Sequence, residues 1–188
     1  MKKIVLGIIG KIAAGKTTAT EYLKEEYNAK SVRFSDSLGD ALERFYLEKT
    51  RQNYQLLSKI LRENFGQDLI SKTVANDIEN FDVKIVIAEG IRRPSDTEFL
   101  KAEYPNNFFM INIDTVDEIR YKRLLKRGEK PDDATKKWDD FKVEDQAESE
   151  KLIEEIAKTA NFTINNNGNL DSLYKQIEEI LNKIENEN

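Results

Sequence analysis

Gly10-Lys11-Ile12-Ala13-Ala14-Gly15-Lys16-Thr17 is a G-x-x-x-x-G-K-T string, and it follows directly on the apolar run Ile4 to Ile9. Each fixed position in such a loop has a physical purpose. Gly10 and Gly15 permit positive φ and a close backbone approach that a Cβ would obstruct. The loop amides and the start of the next helix form a concave anion site, Lys16 adds a point charge toward β- and γ-phosphates, and Thr17 offers a hydroxyl to Mg²⁺. The string has this meaning only between a strand and a helix. Ile4, Val5, Leu6, Ile8 and Ile9 read as a strand buried on both faces, and Thr17 to Tyr27 as a helix with Ala19, Tyr22 and Leu23 on one side. Residues 10 to 18, from Gly10, Lys11, Ile12, Ala13, Ala14 and Gly15 through Lys16, Thr17 and Thr18, are therefore the expected binding loop of a nucleoside triphosphate.

Outward from the loop, strand and helix signals alternate. Ala29 to Phe34 reads as a second strand, with Ser35-Asp36-Ser37 as a helix cap. Helices are expected over about 38 to 48, 53 to 65 and 68 to 79. Val83 to Ala88 is the next buried strand, and Pro94 fits the start of a helix reaching about Glu103. Phe108 to Ile113, a basic helix over 115 to 127, a helix from Trp138 or Phe141 to Lys158, a short strand at 162 to 164 and an amphipathic helix from Leu170 to Ile184 complete the chain. Strands separated by helices predict an α/β protein with a three-layer α/β/α arrangement and a five-stranded parallel sheet.

Composition narrows the chemistry. The 188 residues carry a net charge of −5, with 39% hydrophobic and 35% charged residues, which fits one compact domain and gives no global basic field for nucleic acid or an anionic membrane. No apolar segment approaches the ~20 residues of a membrane span, and Met1-Lys2-Lys3 runs straight into the first strand, so a cytoplasmic location is expected. With no Cys and no His, thiolate chemistry, imidazole bases and Cys/His zinc sites are excluded. Asp, Glu, Lys, Arg and hydroxyls must supply the chemistry.

Ligands of parallel α/β sheets bind at the carboxyl ends of strands, which directs attention to Asp36, Glu89, Arg92, Arg93 and Asp114. Asp36 reads equally as a helix cap and as a carboxylate facing an acceptor. Glu89 ends the strand Ile85-Val86-Ile87-Ala88 where a carboxylate would orient Mg²⁺ through water, and Asp114 is its competitor. Arg92 or Arg93 suits a phosphate clamp. Arg120, Arg123 and Arg127 lie along one side of their helix, with Val116, Ile119 and Leu124 or Leu125 toward the core. They form either a solvated basic face or a set delivered to the transferring phosphoryl group by a lid over about 120 to 145.

Taken together, the loop Gly10 to Thr17, Phe34-Ser35-Asp36, Ile87-Ala88-Glu89-Gly90-Ile91-Arg92 and Arg120-Tyr121-Lys122-Arg123-Leu124-Leu125-Lys126-Arg127-Gly128 resemble the P-loop kinases of nucleotides and nucleotide-like metabolites, including nucleoside monophosphate kinases and dephospho-coenzyme A kinases. The resemblance spans nearly the whole chain. It implies ATP and Mg²⁺, with Lys16 and Thr17 serving them, Thr17 and Glu89 at the metal, Asp36 and Arg92 facing the acceptor, and Lys16, Asp36, Arg123 and Arg127 in catalysis. It also implies an acceptor-binding helical insertion over about 36 to 80. Glu89 replaces the Asp of the relatives' Asp-Gly-Ile-Arg stretch, and the Asp and His pair of dephospho-coenzyme A kinases has no counterpart in a chain without His. The expected reaction moves the γ-phosphoryl of ATP onto a (deoxy)nucleoside monophosphate or similar small molecule, in a monomer or homodimer with no nucleic-acid or membrane partner. Alternatives are a dephospho-coenzyme A kinase-like enzyme, a nucleotide sensor without catalysis, and a regulatory GTPase suggested by the D-x-x-G string Asp36-Ser37-Leu38-Gly39.

Overall fold

Five strands form one parallel sheet in the order β2-β3-β1-β4-β5. They are β1 (Ile4–Ile9), β2 (Lys30–Arg33), β3 (Ile85–Glu89), β4 (Phe108–Asp114) and β5 (Phe162–Asn165). The structure is a computed structural model and describes residues 3–127 and 133–187. The helices are α1 (Lys16–Tyr27), α2 (Asp36–Arg44), α3 (Arg51–Phe65), α4 (Leu69–Asn80), α5 (Pro94–Glu103), α6 (Asp117–Arg127), α7 (Trp138–Asp145), α8 (Glu148–Ala157) and α9 (Leu170–Glu187).

The alternation of the central strand builds the three layers. Ile4, Leu6 and Ile8 of β1 face a core closed by Ala19 and Leu23 of α1 and by Leu173, Ile177, Ile180, Leu181 and Ile184 of α9. Val5 and Ile9 face the opposite core, closed by Ile70, Val74 and Ile78 of α4, Leu100 of α5 and Ile156 of α8. Successive strand side chains point to opposite faces, so a strand apolar at nearly every position must be covered on both. The α1 and α9 helices also meet through stacked rings of Tyr22 and Tyr174, with centroids 4.0 Å apart.

Helices α2 to α4 are inserted between the edge strand β2 and its neighbour β3. Thr50 caps α3 by accepting a hydrogen bond from the Asn53 amide at 3.2 Å. A buried ion pair ties the insertion to α5: Arg62 Nη2 lies 2.8 Å from Asp96 Oδ1, which also accepts from Ser71 Oγ at 3.3 Å. Both charged groups are almost fully enclosed, so the pair constrains how α3, α4 and α5 meet.

Several expectations are corrected. The helix read from Trp138 or Phe141 to Lys158 is two helices, α7 and α8, separated at Gln146-Ala147. Phe141 of α7 packs with Tyr121 of α6, whereas Ile153 and Ile156 of α8 are buried, so the break lets the chain follow two different surfaces. The second helix starts at Asp36 rather than 38, so the D-x-x-G string forms its first turns, with Gly39 buried, and is not an open switch loop. On α6 the buried positions are Arg120 and Leu124, while Val116 is 47% exposed. Gly128 and Pro131 of the proposed lid lie outside the described residues. Among the described residues, no helix is long and apolar enough to cross a membrane.

Candidate functional site

The Gly10–Thr17 loop turns at the carboxyl end of β1, in the middle of the sheet. Gly10 has φ +148° and Gly15 φ +106°, as the positive-φ reading expects, and Ala13 joins them in the left-handed region at 59°. An alanine there costs on the order of 1 kcal/mol, so the surroundings must impose the turn. A Cβ at Gly10 would lie 2.6 Å from the Ile113 carbonyl oxygen, and one at Gly15 would lie 2.2 Å from Asn166 Nδ2.

Packing explains the imposed shape. The Ala14 carbonyl accepts three hydrogen bonds, from Thr115 Oγ1 at 2.9 Å, Asn166 Nδ2 at 2.8 Å and Arg123 Nη1 at 3.3 Å. This anchors one side of the loop to β4, α6 and the turn after β5. The other side is held by α6 and α7. Arg120 Nη1 donates to the Ile12 carbonyl at 3.2 Å and pairs with Asp145 Oδ1 at 2.7 Å, while Asp145 Oδ2 lies 2.8 Å from Lys11 Nζ. Burial disfavours the Asp145 carboxylate, yet Arg120 and Lys11 hold its pKa below the usual value. Burial likewise works against the Lys11 ammonium, but Asp145 and Glu154 outweigh it and hold its pKa above that of a free lysine.

Lys16 Nζ donates to the carbonyls of Gly10 at 2.7 Å and Lys11 at 2.9 Å, which places the ammonium at the mouth of the loop. Its pKa is lowered to about 8, chiefly by burial and then by Arg92, with smaller contributions from Arg127 and Arg120 opposing the charge of Glu150. The charges that disfavour the ammonium thus come from the β3–α5 connection and from α6. An anion placed there would restore the proton affinity of Lys16.

Beside β1, Glu89 of β3 pairs in register with Ile8. Its Oε2 lies 3.4 Å from Arg33 Nε, and among the described residues its buried Oε1 has no hydrogen-bond partner. An under-coordinated carboxylate oxygen at a strand end next to the loop fits a role in orienting metal-bound water. Asp114, the competing carboxylate, is exposed at the end of β4. Ahead of α6 it is Asn167 Oδ1 that accepts from the Val116 amide, at 2.8 Å. No cluster of three acidic side chains among the described residues could hold a metal alone, so Mg²⁺ here would rely on Thr17 and phosphate oxygens. Thr17 is exposed in the first turn of α1.

On the insertion side, Asp36 Oδ2 accepts from the Arg33 amide at 2.8 Å and the carboxylate is exposed. The pKa of Asp77 on α4 is raised, first by burial and then by the charges of Asp36 and Asp40, so this wall is acidic. Arg92 is exposed and reaches toward Glu150, while Arg93 is the residue preceding α5. On the opposite side of the loop, a small cleft of about 190 Å³ is lined by Gly15, Thr18, Arg123, Asn166, Gly168 and Leu170. A larger cavity of about 440 Å³, with Lys3, Asn28 and Lys84 in its wall, lies at the amino ends of the strands, away from the anion-binding loop.

The AAA domain family matches residues 6–151. UPF0200 protein MJ1399 of Methanocaldococcus jannaschii is 31% identical over 185 residues, covering 97% of this chain and 91% of its own. The chain belongs to the AAA domain family, among the UPF0200 proteins. It also matches the UPF0200 protein of Methanothermobacter thermautotrophicus at 24% identity, over 98% of this chain and 92% of that one. It spans only 55% of the UPF0200/UPF0201 protein of Archaeoglobus fulgidus, with 28% identity. The backbone is similar to TT1252 from Thermus thermophilus, with a TM-score of 0.62 and 16% identity over 97% of this chain and 98% of that one. A shikimate kinase from Bacteroides thetaiotaomicron gives 0.59 and 14% over the same shares. The fold is the three-layer α/β/α fold that these structures share.

Within this AAA domain, the structure brings Lys16, Thr17, Asp36, Glu89, Arg92 and Arg123 of the sequence-predicted set to the carboxyl end of the sheet, with Arg127 at the end of α6. Arg120 is different, being a buried strut. Sequence reasoning missed Thr115, Asp145, Glu150 and Asn166. The run Asn165-Asn166-Asn167-Gly168 at the end of β5 was the one visible signal, because amide side chains before a glycine commonly bond to backbone in turns.

Proposed function

We propose that the protein is an ATP-dependent phosphotransferase that moves the γ-phosphoryl of ATP·Mg²⁺ to a nucleoside monophosphate or a nucleotide-like small molecule. The observation that carries this reading is Lys16, half-buried at the mouth of the phosphate loop with its Nζ on the carbonyls of Gly10 and Lys11, where Arg92, Arg127 and Arg120 oppose its charge. Such a convergence of cations stabilises the phosphoryl oxygens during in-line transfer, when charge is spread over them.

The loop amides from Lys11 to Thr18 bind the triphosphate, and the cleft bounded by Thr18, Arg123 and Leu170 receives the base. Arg123 also donates to the Asn166 carbonyl at 3.0 Å, which fixes its guanidinium at the cleft wall. Thr17 would hold Mg²⁺ and Glu89 would orient its bound water, and the ion would supply charge neutralisation. Asp36 and Arg92 meet the acceptor at the α2 to α4 insertion, and Arg127, whose Nη2 lies 3.4 Å from Asp133 Oδ2, approaches the phosphoryl group from α6. The chain acts by alignment and electrostatics, which need neither His nor Cys. A monomer or homodimer working on a small molecule, without nucleic acid, accords with the net charge of −5.

The test is a coupled ADP-release assay with ATP·Mg²⁺ against ribo- and deoxynucleoside monophosphates and dephospho-coenzyme A. Stimulation by at least one acceptor is expected; ATP binding with no stimulated release across the panel would overturn the transferase reading in favour of a sensor.

Lys16 gives a pH-dependent signature. Its folded pKa of about 8 lies below the ordinary lysine value, so from about pH 8 to 10.5 the unfolded chain holds more protons and this group makes stability rise with pH. Nucleotide binding has the opposite tendency, because phosphate favours the ammonium. Binding at pH 8 is expected to take up about half a proton, seen as buffer-dependent heats in titration calorimetry. Heats independent of buffer ionisation enthalpy would contradict it.

A further inference from the structure

Glu150, near the start of α8, is 8% exposed and lies over the phosphate loop. Its Oε2 accepts from the Ile12 amide at 3.2 Å, and its Oε1 lies 3.4 Å from Arg92 Nη1. A backbone amide of an anion-binding loop and an arginine fork are both ligands suited to a phosphoryl group. Here the two oxygens of one carboxylate bridge them.

The neighbouring contacts show that this is a docked element rather than one wandering side chain. Asp145 of α7 and Glu154 of α8 both pair with Lys11, at 2.8 and 2.5 Å. Those two carboxylates neutralise a side chain, whereas Glu150 takes a loop amide. The break between α7 and α8 at Gln146-Ala147 separates the buried Asp145–Arg120 anchor from Glu150, so α8 has a joint on the side of the loop. Toward its far end, Ile153 and Ile156 are buried, which limits movement to its first turns.

We propose that Glu150 is a displaceable internal anion that holds the Ile12 amide and Arg92 until a phosphoryl group replaces it. A carboxylate and a phosphoryl group cannot share these ligands, because two anions a few ångströms apart in a partly dry site repel strongly. Entry of the triphosphate therefore ejects Glu150, shifts the first turns of α8 and frees Arg92 for the acceptor. This inference rests on the nucleotide-binding reading of the loop. It makes nucleotide loading and the availability of the acceptor-side arginine a single event, since both are set free from one side chain.

The experiment is titration calorimetry of ATP·Mg²⁺ and of inorganic tripolyphosphate on the full chain, in wild type, Glu150→Gln, Glu150→Ala, Glu154→Gln and Lys16→Ala. Removing the competing charge is expected to tighten both ligands about ten-fold in each Glu150 variant. Glu154→Gln, which loosens α8 without emptying the amide, should gain clearly less. Affinity unchanged or weakened in the Glu150 variants overturns the proposal, and loss of turnover with unchanged affinity would instead mark Glu150 as a proton acceptor in transfer. Equal gains in Glu154→Gln would also overturn it, as mere loosening of the helix. If wild type binds and Lys16→Ala does not, the nucleotide reading stands whatever Glu150 does; if none of the proteins binds either ligand, both ideas fall. Amide exchange supplies a readout without nucleotide: the Ile12 amide should exchange faster in Glu150→Ala, and unchanged protection overturns the proposal.

Discussion

Replacing Lys16 with alanine is expected to lower turnover by about 10²–10³-fold or more, since it removes a cation aimed at the charge that develops on the transferring group. ATP affinity should fall as well, because the same ammonium meets the ground-state phosphates. The fold should survive. Among the described residues Lys16 donates only to two loop carbonyls, Gly10 and Lys11, and the cost of burying its charge beside Arg92 disappears with it. The melting temperature without ligand is therefore expected to hold or rise at pH 7, while the stabilisation of wild type by ATP is lost. Coupled ADP release and thermal melts with and without ATP check both halves. Full activity in the variant would sink the phosphotransferase reading, and a collapsed melt would show that Lys16 is part of the folding core.

The second large effect is expected at Arg120 and falls on stability. Its guanidinium is 1% exposed, bonds to the carbonyls of Ile12 and Thr115, pairs with Asp117 and Asp145, and lies 5.2 Å from the ring centroid of Phe141. Arg120→Ala leaves the buried Asp145 with Lys11 as its remaining cation among the described residues and opens space beneath Phe141. Breaking a buried pair by removing one member costs about 3–5 kcal/mol, and the partner Lys11 places this case toward the lower end. Denaturant unfolding measures it, and a loss under about 1 kcal/mol would show that the network relaxes around the gap. Because the acid left behind causes much of the loss, Arg120→Ala with Asp145→Ala should be destabilised by less than the sum of the single variants. The opposite result would mean that Arg120 acts through packing alone.

These two residues illustrate how far the sequence reaches. Lys16 follows Gly15 in a short string between a strand and a helix, so its position is set by local geometry and was legible at once. Arg120 shares a three- and four-residue spacing with Arg123 and Arg127, and that spacing cannot say which of three neighbours turns inward. The fold answers it: α6 packs against α7 through Tyr121, Trp138 and Phe141, and this contact covers Arg120 while Arg123 reaches the Ala14 carbonyl. Glu150 gave no sequence signal at all. It is one acidic residue in a heavily charged stretch, and its meeting with the Ile12 amide spans 138 positions of chain.

The sequence by itself determined the phosphate loop, the succession of strands and helices and the three-layer class, since these follow from local conformational preference and from the period of apolar residues. The order β2-β3-β1-β4-β5, the partnerless Glu89 Oε1 among the described residues, the triple anchoring of Ala14 and the seating of Glu150 were decided only by tertiary structure. Each of these depends on which distant groups share a desolvated volume, where hydrogen bonds and charges must be satisfied jointly and not residue by residue.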